Sequence, residues 1–213
     1  KEFQTMDTVC SFMEKVGLPV EKNIAYTGCK TTADPEKKGQ PRVAIMSELD
    51  SVMCPEHPEA AANGNAHACG HNMQMATMFG AAIGIMKSGV AEHLDGVMDF
   101  IAIPAEECLD YEYRNQLVEE GKIKYTGGKQ EYLYRGGLDD TNMIIQCHAW
   151  PFAPQENKCC IVNTKANGFI NKTVTFLGRS AHAGNAPHDG INALNMAQLA
   201  LNNINAQRET FKD

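Results

Sequence analysis

Two histidines and a cysteine lie within five residues in the stretch HACGHN, which runs from His67 to Asn72. Thiolate and imidazole are side chains that bind zinc and related ions. A single glycine separates Cys69 from His71 and permits a tight turn, so both side chains can reach one cation or two neighbouring ones. A C-x-H pair is also common in polar loops that bind nothing, so this motif alone establishes no site. We expect His67 to be structural.

The segment PAEE ends in two adjacent carboxylates, Glu106 and Glu107. Adjacent carboxylates repel one another unless a positive group holds them. One of the two can bind a cation while the other takes a proton from water. The alternative is a pair of solvated carboxylates on a loop.

Three further residues are candidates for the same chemistry. His148 follows the apolar run MIIQC, and its alternative is a hydrogen-bonded core residue. Asp50 follows the apolar run RVAIMSEL, where a carboxylate either orients a metal ligand or caps a turn. His182 lies in the small-residue segment GRSAHAGNAPHDGINAL, which can bring an imidazole close to a ligand or leave it exposed to solvent.

Apolar runs predict three buried strands, which end at Asp50, at Glu106–Glu107 and at His148, with helices between them. This pattern indicates an α/β fold with a largely parallel sheet. Ligands bind beyond the carboxyl ends of strands in such sheets, so the candidate side chains are expected to meet at one edge. The expected metal-binding cluster consists of four residues: Cys69, His71, Glu107 and His148. Glu106 is then left as a base.

The remaining patterns predict the other elements. Apolar residues at helical spacing predict a helix over residues 1–17, which GLP ends, and a second helix over residues 72–88. Residues 23–33 predict a strand. Residues 158–169 and 172–178 predict two adjacent strands, and a long amphipathic helix follows them. We place a domain boundary near Asn157, between a catalytic unit (1–156) and the first part of a second domain (157–213), which is too small for a core of its own.

Composition excludes some classes of function. The chain has 213 residues, of which 43% are hydrophobic and 21% charged, enough for a packed core. The net charge of −7 argues against nucleic acid as a partner. No apolar run approaches the roughly 18 residues of a membrane span, so no membrane contact is expected. The eight cysteines are dispersed and predict reduced thiols in a cytoplasmic protein. The chain does not begin with Met, which predicts a piece of a longer protein.

Taken in order, the segments SELDSV, HACGHN, PAEE, HAW and GRSAHAGNAPHDGIN resemble the amidohydrolase branch of the aminoacylase / glutamate carboxypeptidase family of metallopeptidases. The resemblance covers nearly the whole chain. It implies a zinc-peptidase-like catalytic domain with two divalent metal ions, zinc or manganese. It also implies an inserted α+β sandwich lid through which the protein forms a homodimer. The implied substrate is a small N-acyl amino acid or a peptide-like conjugate, which is cleaved at its amide bond.

The resemblance also implies roles for individual residues. Four match the metal ligands of the family: Cys69, His71, Glu107 and His148. Glu106 matches the general base, which takes a proton from the attacking water and returns it to the leaving amine. Asp50 matches a supporting carboxylate near the metals. His182 matches a lid histidine that holds the carbonyl oxygen or the substrate carboxylate.

Three departures from the family pattern keep other readings open. Asn72 stands where the branch commonly has Asp, and Glu48 stands where many members have Asp or His. The family has a further metal-binding histidine, which is expected beyond Asp213. The alternatives are a family member without activity that serves as a binding or interaction protein, and a dinuclear aminopeptidase that acts on free N-termini.

Overall fold

The computed structural model describes residues 2–37, 41–107, 110–149, 162, 168, 170 and 172–211. The chain forms two compact units, Lys1–Ala153 and Pro154–Asp213. The predicted boundary between residues 156 and 157 falls outside the described residues and stays a prediction. No helix in the described ranges is both long enough and apolar enough to span a membrane.

In the first unit, short strands alternate with helices along the chain. Their order is α1 (Phe3–Val16), β1 (Val20–Ile24), β2 (Gly28–Thr32), β3 (Arg42–Glu48), β4 (Val52–Met53), β5 (Asn65–Ala66), α2 (His71–Ser88), β6 (Val97–Ile103), α3 (Tyr111–Glu119), α4 (Gly128–Tyr134) and β7 (Met143–Gln146). The predicted helices at 1–17 and 72–88 correspond to α1 and α2. Gly17 and Gly89 end them in the left-handed conformation, with φ of 96° and 70°.

The main sheet has the strand order β1-β2-β6-β3-β7. β3 lies between β6 and β7 and is parallel to both, whereas β2 pairs antiparallel with β6 and with β1. The predicted α/β class is confirmed, and its parallel part consists of the three strands whose ends carry the candidate residues. Because these strands run in one direction, their carboxyl ends meet at one edge.

The prediction of one strand over residues 23–33 is wrong, because the chain turns back within that segment. Ala25 and Tyr26 have positive φ values of 52° and 82°, and β1 and β2 form a hairpin around them. Gly28 begins the second strand where a side chain has no room, since a Cβ there would lie 2.6 Å from the Ile24 carbonyl oxygen.

Alternation along β6 gives the sheet two buried faces. Phe100 and Ala102 belong to the cluster that packs against α1 and α2, and Ile101 and Ile103 belong to the cluster that includes Tyr132 of α4. This period of two is the pattern of a strand covered on both sides. Helices thus enclose the central strands and leave their carboxyl ends accessible.

The described part of the second unit has one long helix, α5 (Ala193–Ala206), which the amphipathic pattern predicts. The Asn192 side chain caps it by accepting a hydrogen bond from the Asn195 backbone N–H at 3.0 Å. The strand predicted at 172–178 forms no ladder among the described residues, where Arg179 and Ile191 make an isolated bridge. Most of the neighbour predicted for that strand, residues 158–169, lies outside the described residues, so the pairing of the two stays a prediction.

Candidate metal centre

The candidate residues of the first unit lie just after three parallel strands and at the start of one helix. Asp50 follows β3, Glu106 and Glu107 follow β6, and His148 follows β7. His71 is the first residue of α2, and Cys69 lies two positions before it. The sheet topology therefore brings together side chains that are separated by up to about a hundred positions in the sequence.

His71 is fully buried, and its two ring nitrogens face different partners. Nδ1 lies 2.9 Å from the Asp50 carbonyl oxygen and 3.3 Å from Asp50 Oδ1. Nε2 has no hydrogen-bond partner, although Glu48 Oε2 is 3.0 Å away, because the two groups are not aligned for a hydrogen bond. A histidine whose Nδ1–H is held by an oxygen presents the lone pair of Nε2, which is the arrangement of a metal-binding imidazole.

Cys69 and His148 complete a compact group with this nitrogen. The Cys69 Sγ lies 3.6 Å from His148 Nε2, and the ligand atoms of Cys69, His71 and His148 all lie within 4.8 Å of one another. A sulfur at about 2.3 Å and a nitrogen at about 2.0 Å from a tetrahedral zinc ion are roughly 3.5 Å apart. The observed spacing therefore fits a shared cation.

Gly70 makes this spacing possible. Its φ is +91°, and a Cβ at this position would lie 2.7 Å from Ala149 Cβ. A side chain would force the turn before α2 away from the segment that carries His148. The predicted role of this glycine in a tight turn is confirmed.

The two adjacent glutamates point to different partners. The Glu107 backbone N–H donates to Asp50 Oδ2 at 2.8 Å. The Glu107 side-chain oxygen Oε1 lies 3.8 Å from His71 Nε2. The Glu106 carboxylate instead accepts a hydrogen bond from the Lys129 ammonium at 3.2 Å. This divergence allows the two carboxylates different roles, as the sequence predicts, although both lie near the His71 imidazole.

The electrostatics of the group favour a cation. Burial alone would lower the pKa of His71, but the carboxylates of Asp50 and Glu48 outweigh burial and raise it to about 10. Burial and the neighbouring Glu107 raise the pKa of the Cys69 thiol to about 12. Without a metal the group therefore retains protons that a divalent cation would displace. The residues present fit a metal ion.

A second set of ligand-type atoms, from Glu48, His71 and Glu106, also lies within 4.8 Å. This set already has a positive charge, because the Lys129 ammonium pairs with both Glu48 and Glu106. A metal ion would compete with the ammonium for the same carboxylate oxygens. The group of Cys69, His71 and His148 is therefore the better candidate for a metal.

Sequence reasoning missed the polar residues beneath the site. Glu48 is 1% exposed, and its carboxylate accepts hydrogen bonds from Gln74 at 2.7 Å and Gln146 at 2.6 Å. Lys129 lies in a short helix at a pair of glycines, a pattern that predicts a loop. The sequence contains one signal of these contacts: Gln74 and Gln146 lie within an apolar helix and an apolar strand. A buried amide needs a polar partner, so each glutamine indicates a buried polar group nearby.

The remaining predicted residues lie apart from the metal-binding group or in the second unit. Asn72 is exposed, and its Oδ1 accepts a hydrogen bond from the Met73 backbone N–H at 2.9 Å. His67 is half-buried, and its Nδ1 has no hydrogen-bond partner. His182 is exposed in a turn of the second unit, where its carbonyl oxygen accepts from the Asn185 and Ala186 N–H groups. Its predicted role stays a prediction.

Comparison with known proteins identifies relatives of both units. A model of the peptidase dimerisation domain matches residues 164–212. The chain is 26% identical over 216 residues to a p-aminobenzoyl-glutamate hydrolase of Escherichia coli (strain K12), covering 98% of this chain and 40% of that protein. It is 26% identical over 185 residues to the Xaa-Arg dipeptidase of Mus musculus, covering 84% of this chain and 35% of that protein. The chain thus spans about two fifths of the length of these curated relatives.

A solved structure shares the fold. The YXEP protein of Bacillus subtilis, a dinuclear metal-binding peptidase of the M20 family, matches with a TM-score of 0.57 and 22% identity, over 72% of this chain and 39% of that chain. The hydrolases among its sequence relatives and the matched dimerisation domain confirm the resemblance that the motifs predict, and the solved structure shows that the fold is similar to that of an M20 peptidase.

Proposed function

We propose that this chain is the metal-binding part of a hydrolase that cleaves the amide bond of N-acyl amino acids, or of related aryl-amide or peptide conjugates. We propose two divalent cations, zinc or manganese, as cofactors. One observation carries the proposal: the ligand atoms of Cys69, His71 and His148 all lie within 4.8 Å of one another, and the buried His71 Nε2 has no hydrogen-bond partner. A buried polar atom without a partner is costly unless something binds it.

The names of the relatives support an amide as the bond that is cleaved. One is a hydrolase of p-aminobenzoyl-glutamate and another is a dipeptidase. Both substrates carry an amide next to an amino acid. The matched dimerisation domain supports a homodimer.

The chain's own residues supply the remaining steps of the proposed reaction. The bound cations would polarise the carbonyl and acidify water. Glu106 takes the proton of the attacking water and returns it to the leaving amine. Asp50 orients His71 through Nδ1 and Glu107 through its backbone N–H. His182 of the second unit is proposed to contact the oxyanion or the substrate carboxylate.

The test uses the full-length protein and measures metal content together with hydrolysis of N-acetyl amino acids. We expect about two metals per chain. Glu106→Gln should retain the metals and lose about 10²–10⁴-fold in kcat, because the proton acceptor is gone. Glu119→Gln, on the exposed face of α3, is the matched control and should retain full activity.

Three results would contradict parts of the proposal. Absence of metal after loading with zinc or manganese would support a binding or interaction protein. Full activity of Glu106→Gln would exclude this residue as the base. Turnover of a dipeptide with a free amine, but not of its N-acetylated form, would support the aminopeptidase alternative.

A further inference from the structure

The carboxylate proposed as general base has a cationic partner that the reaction described above does not use. Lys129, the second residue of α4, contributes an ammonium that lies 3.2 Å from Glu106 Oε1 and also pairs with Glu48 Oε1. One ammonium thus links two carboxylates at the ends of neighbouring parallel strands. The same ammonium lies between ligand-type oxygens that a metal would otherwise use.

The Glu48 end of this link is fixed within the protein. The Glu48 carboxylate is buried at the end of β3, and the side-chain amides of Gln74 and Gln146 donate to its two oxygens. These two amide donors fix the carboxylate with which the lysine pairs.

The backbone that carries Lys129 is fixed against the turn that carries Glu106. The Gly128 N–H donates to the Ala105 carbonyl oxygen at 3.2 Å. A Cβ on Gly128 would lie 1.5 Å from the Pro104 carbonyl oxygen, so α4 begins in direct backbone contact with this turn. At the other side of α4, the buried Glu131 carboxylate accepts hydrogen bonds from the Lys124 and Tyr125 N–H groups, both at 2.9 Å.

We propose that Lys129 is a positioning residue for Glu106. This inference rests on the proposed function and deepens it. Its ammonium pairs with Glu106 Oε1, competes with the cations for this carboxylate and leaves it available to accept a proton. A free carboxylate at this position, one residue before Glu107, would turn toward the divalent cations and bind them as an additional ligand. Lys129 prevents this loss of the base because it balances the charge of Glu106.

The first experiment is a kinetic double-mutant cycle on the full-length, metal-loaded protein with an N-acetyl amino acid as substrate. Lys129→Met should lower kcat by about 10- to 100-fold, as expected for a misplaced reacting group, and leave KM within about twofold. Lys129→Arg should restore most of the rate, because guanidinium can bridge two carboxylates. In a Glu106→Gln background, Lys129→Met should cause no further loss. Lys87→Met, on the exposed face of α2, is the control.

The second experiment does not depend on turnover. Co²⁺ is used as the metal probe, because four-coordinate Co²⁺ absorbs visible light more strongly than higher-coordinate Co²⁺ and so reports on coordination geometry. Lys129→Met should weaken the absorption per bound metal, since Glu106 becomes a ligand. The same substitution in the Glu106→Gln background should leave the spectrum unchanged.

The results separate this inference from the proposed function. If the losses in kcat caused by Lys129→Met and by Glu106→Gln multiply in the double variant, the positioning role is overturned. Identical Co²⁺ spectra for the wild type and Lys129→Met would also overturn it. If Glu106→Gln keeps full hydrolytic activity, the proposed role of Glu106 as the base fails, and the Co²⁺ spectra alone then decide whether Lys129 restrains Glu106. If Glu106→Gln loses activity and Lys129→Met does not, the positioning role alone is wrong.

Discussion

At the scale of single residues, the candidate centre depends on which ring nitrogen of His71 is occupied by a neighbouring oxygen. Asp50 contacts His71 Nδ1 through its carbonyl oxygen and its carboxylate, which leaves Nε2 for a cation. Asp50 also accepts a hydrogen bond from the Glu107 backbone N–H. One residue thus contacts two of the proposed ligands, and we propose that it orients both.

This double role predicts the effect of removing the Asp50 side chain. Asp50→Ala should weaken metal affinity by about 10- to 100-fold, because two ligands lose their orientation. The measurement is competition for Zn²⁺ against a chelating dye, with the full-length protein. Asp95→Ala, in an exposed loop before β6, is the control and should bind metal as the wild type does. Equal affinity in both variants would show that Asp50 does not orient the ligands.

At the scale of elements, the site requires the close approach of α4 to the turn after β6. Ala105 has a positive φ of 48°, which an ordinary side chain adopts only when neighbouring contacts hold it. The backbone of Gly128 supplies one such contact. The helix therefore fixes the turn and, through Lys129, the carboxylate at its end.

A pair of Gly→Ala substitutions tests this contact. Gly128→Ala places a methyl group against the Pro104 carbonyl oxygen and should destabilise the protein by about 1–3 kcal/mol, as overpacked sites do. Gly84→Ala, in α2, meets no atom within 4 Å and should stabilise the protein by about 0.5–1 kcal/mol, because alanine favours helix. Chemical denaturation measures both. A harmless Gly128→Ala would show that the helix and the turn are not in contact.

At the scale of the whole molecule, the proposed ligands come from elements far apart in the sequence. The start of α2 and the segments before it and after β7 contribute to one group of ligand atoms, and the turn after β6 contributes to a second group that shares His71. An unfolded chain does not hold these side chains together, so metal binding favours the folded state. The second unit matches a model of the peptidase dimerisation domain, which supports the proposed homodimer.

Metal removal should therefore lower thermal stability. At a free metal concentration about 1,000 times the Kd, binding stabilises the folded state by about 4 kcal/mol. For a domain of 150–250 residues, each kcal/mol corresponds to roughly 2–4 °C in Tm. Calorimetry of the full-length protein before and after chelation should show this decrease, and added Zn²⁺ or Mn²⁺ should reverse it. An unchanged Tm would indicate that the folded state binds no metal tightly.

The local sequence determined the elements and the identity of the residues that meet at the sheet edge. Periodicity in α1 and α2, apolar runs in β3, β6 and β7, and polar residues directly after those runs are local patterns. They predicted the parallel strands, the turn at Gly70 and the juxtaposition of Cys69, His71 and His148. Local patterns also predicted one strand over residues 23–33, where the structure has a hairpin of β1 and β2. The only turn signal in that segment is a single glycine, Gly28.

Only the tertiary structure decided how the charges at the site are distributed. The contacts among Glu48, Gln74, Lys129 and Gln146 join residues from two strands and two helices. No spacing in the sequence reports such contacts, because hydrogen-bond partners across a fold are set by distance and direction in space. The sequence therefore identified Glu106 as a candidate base, and the tertiary structure revealed the lysine that holds it.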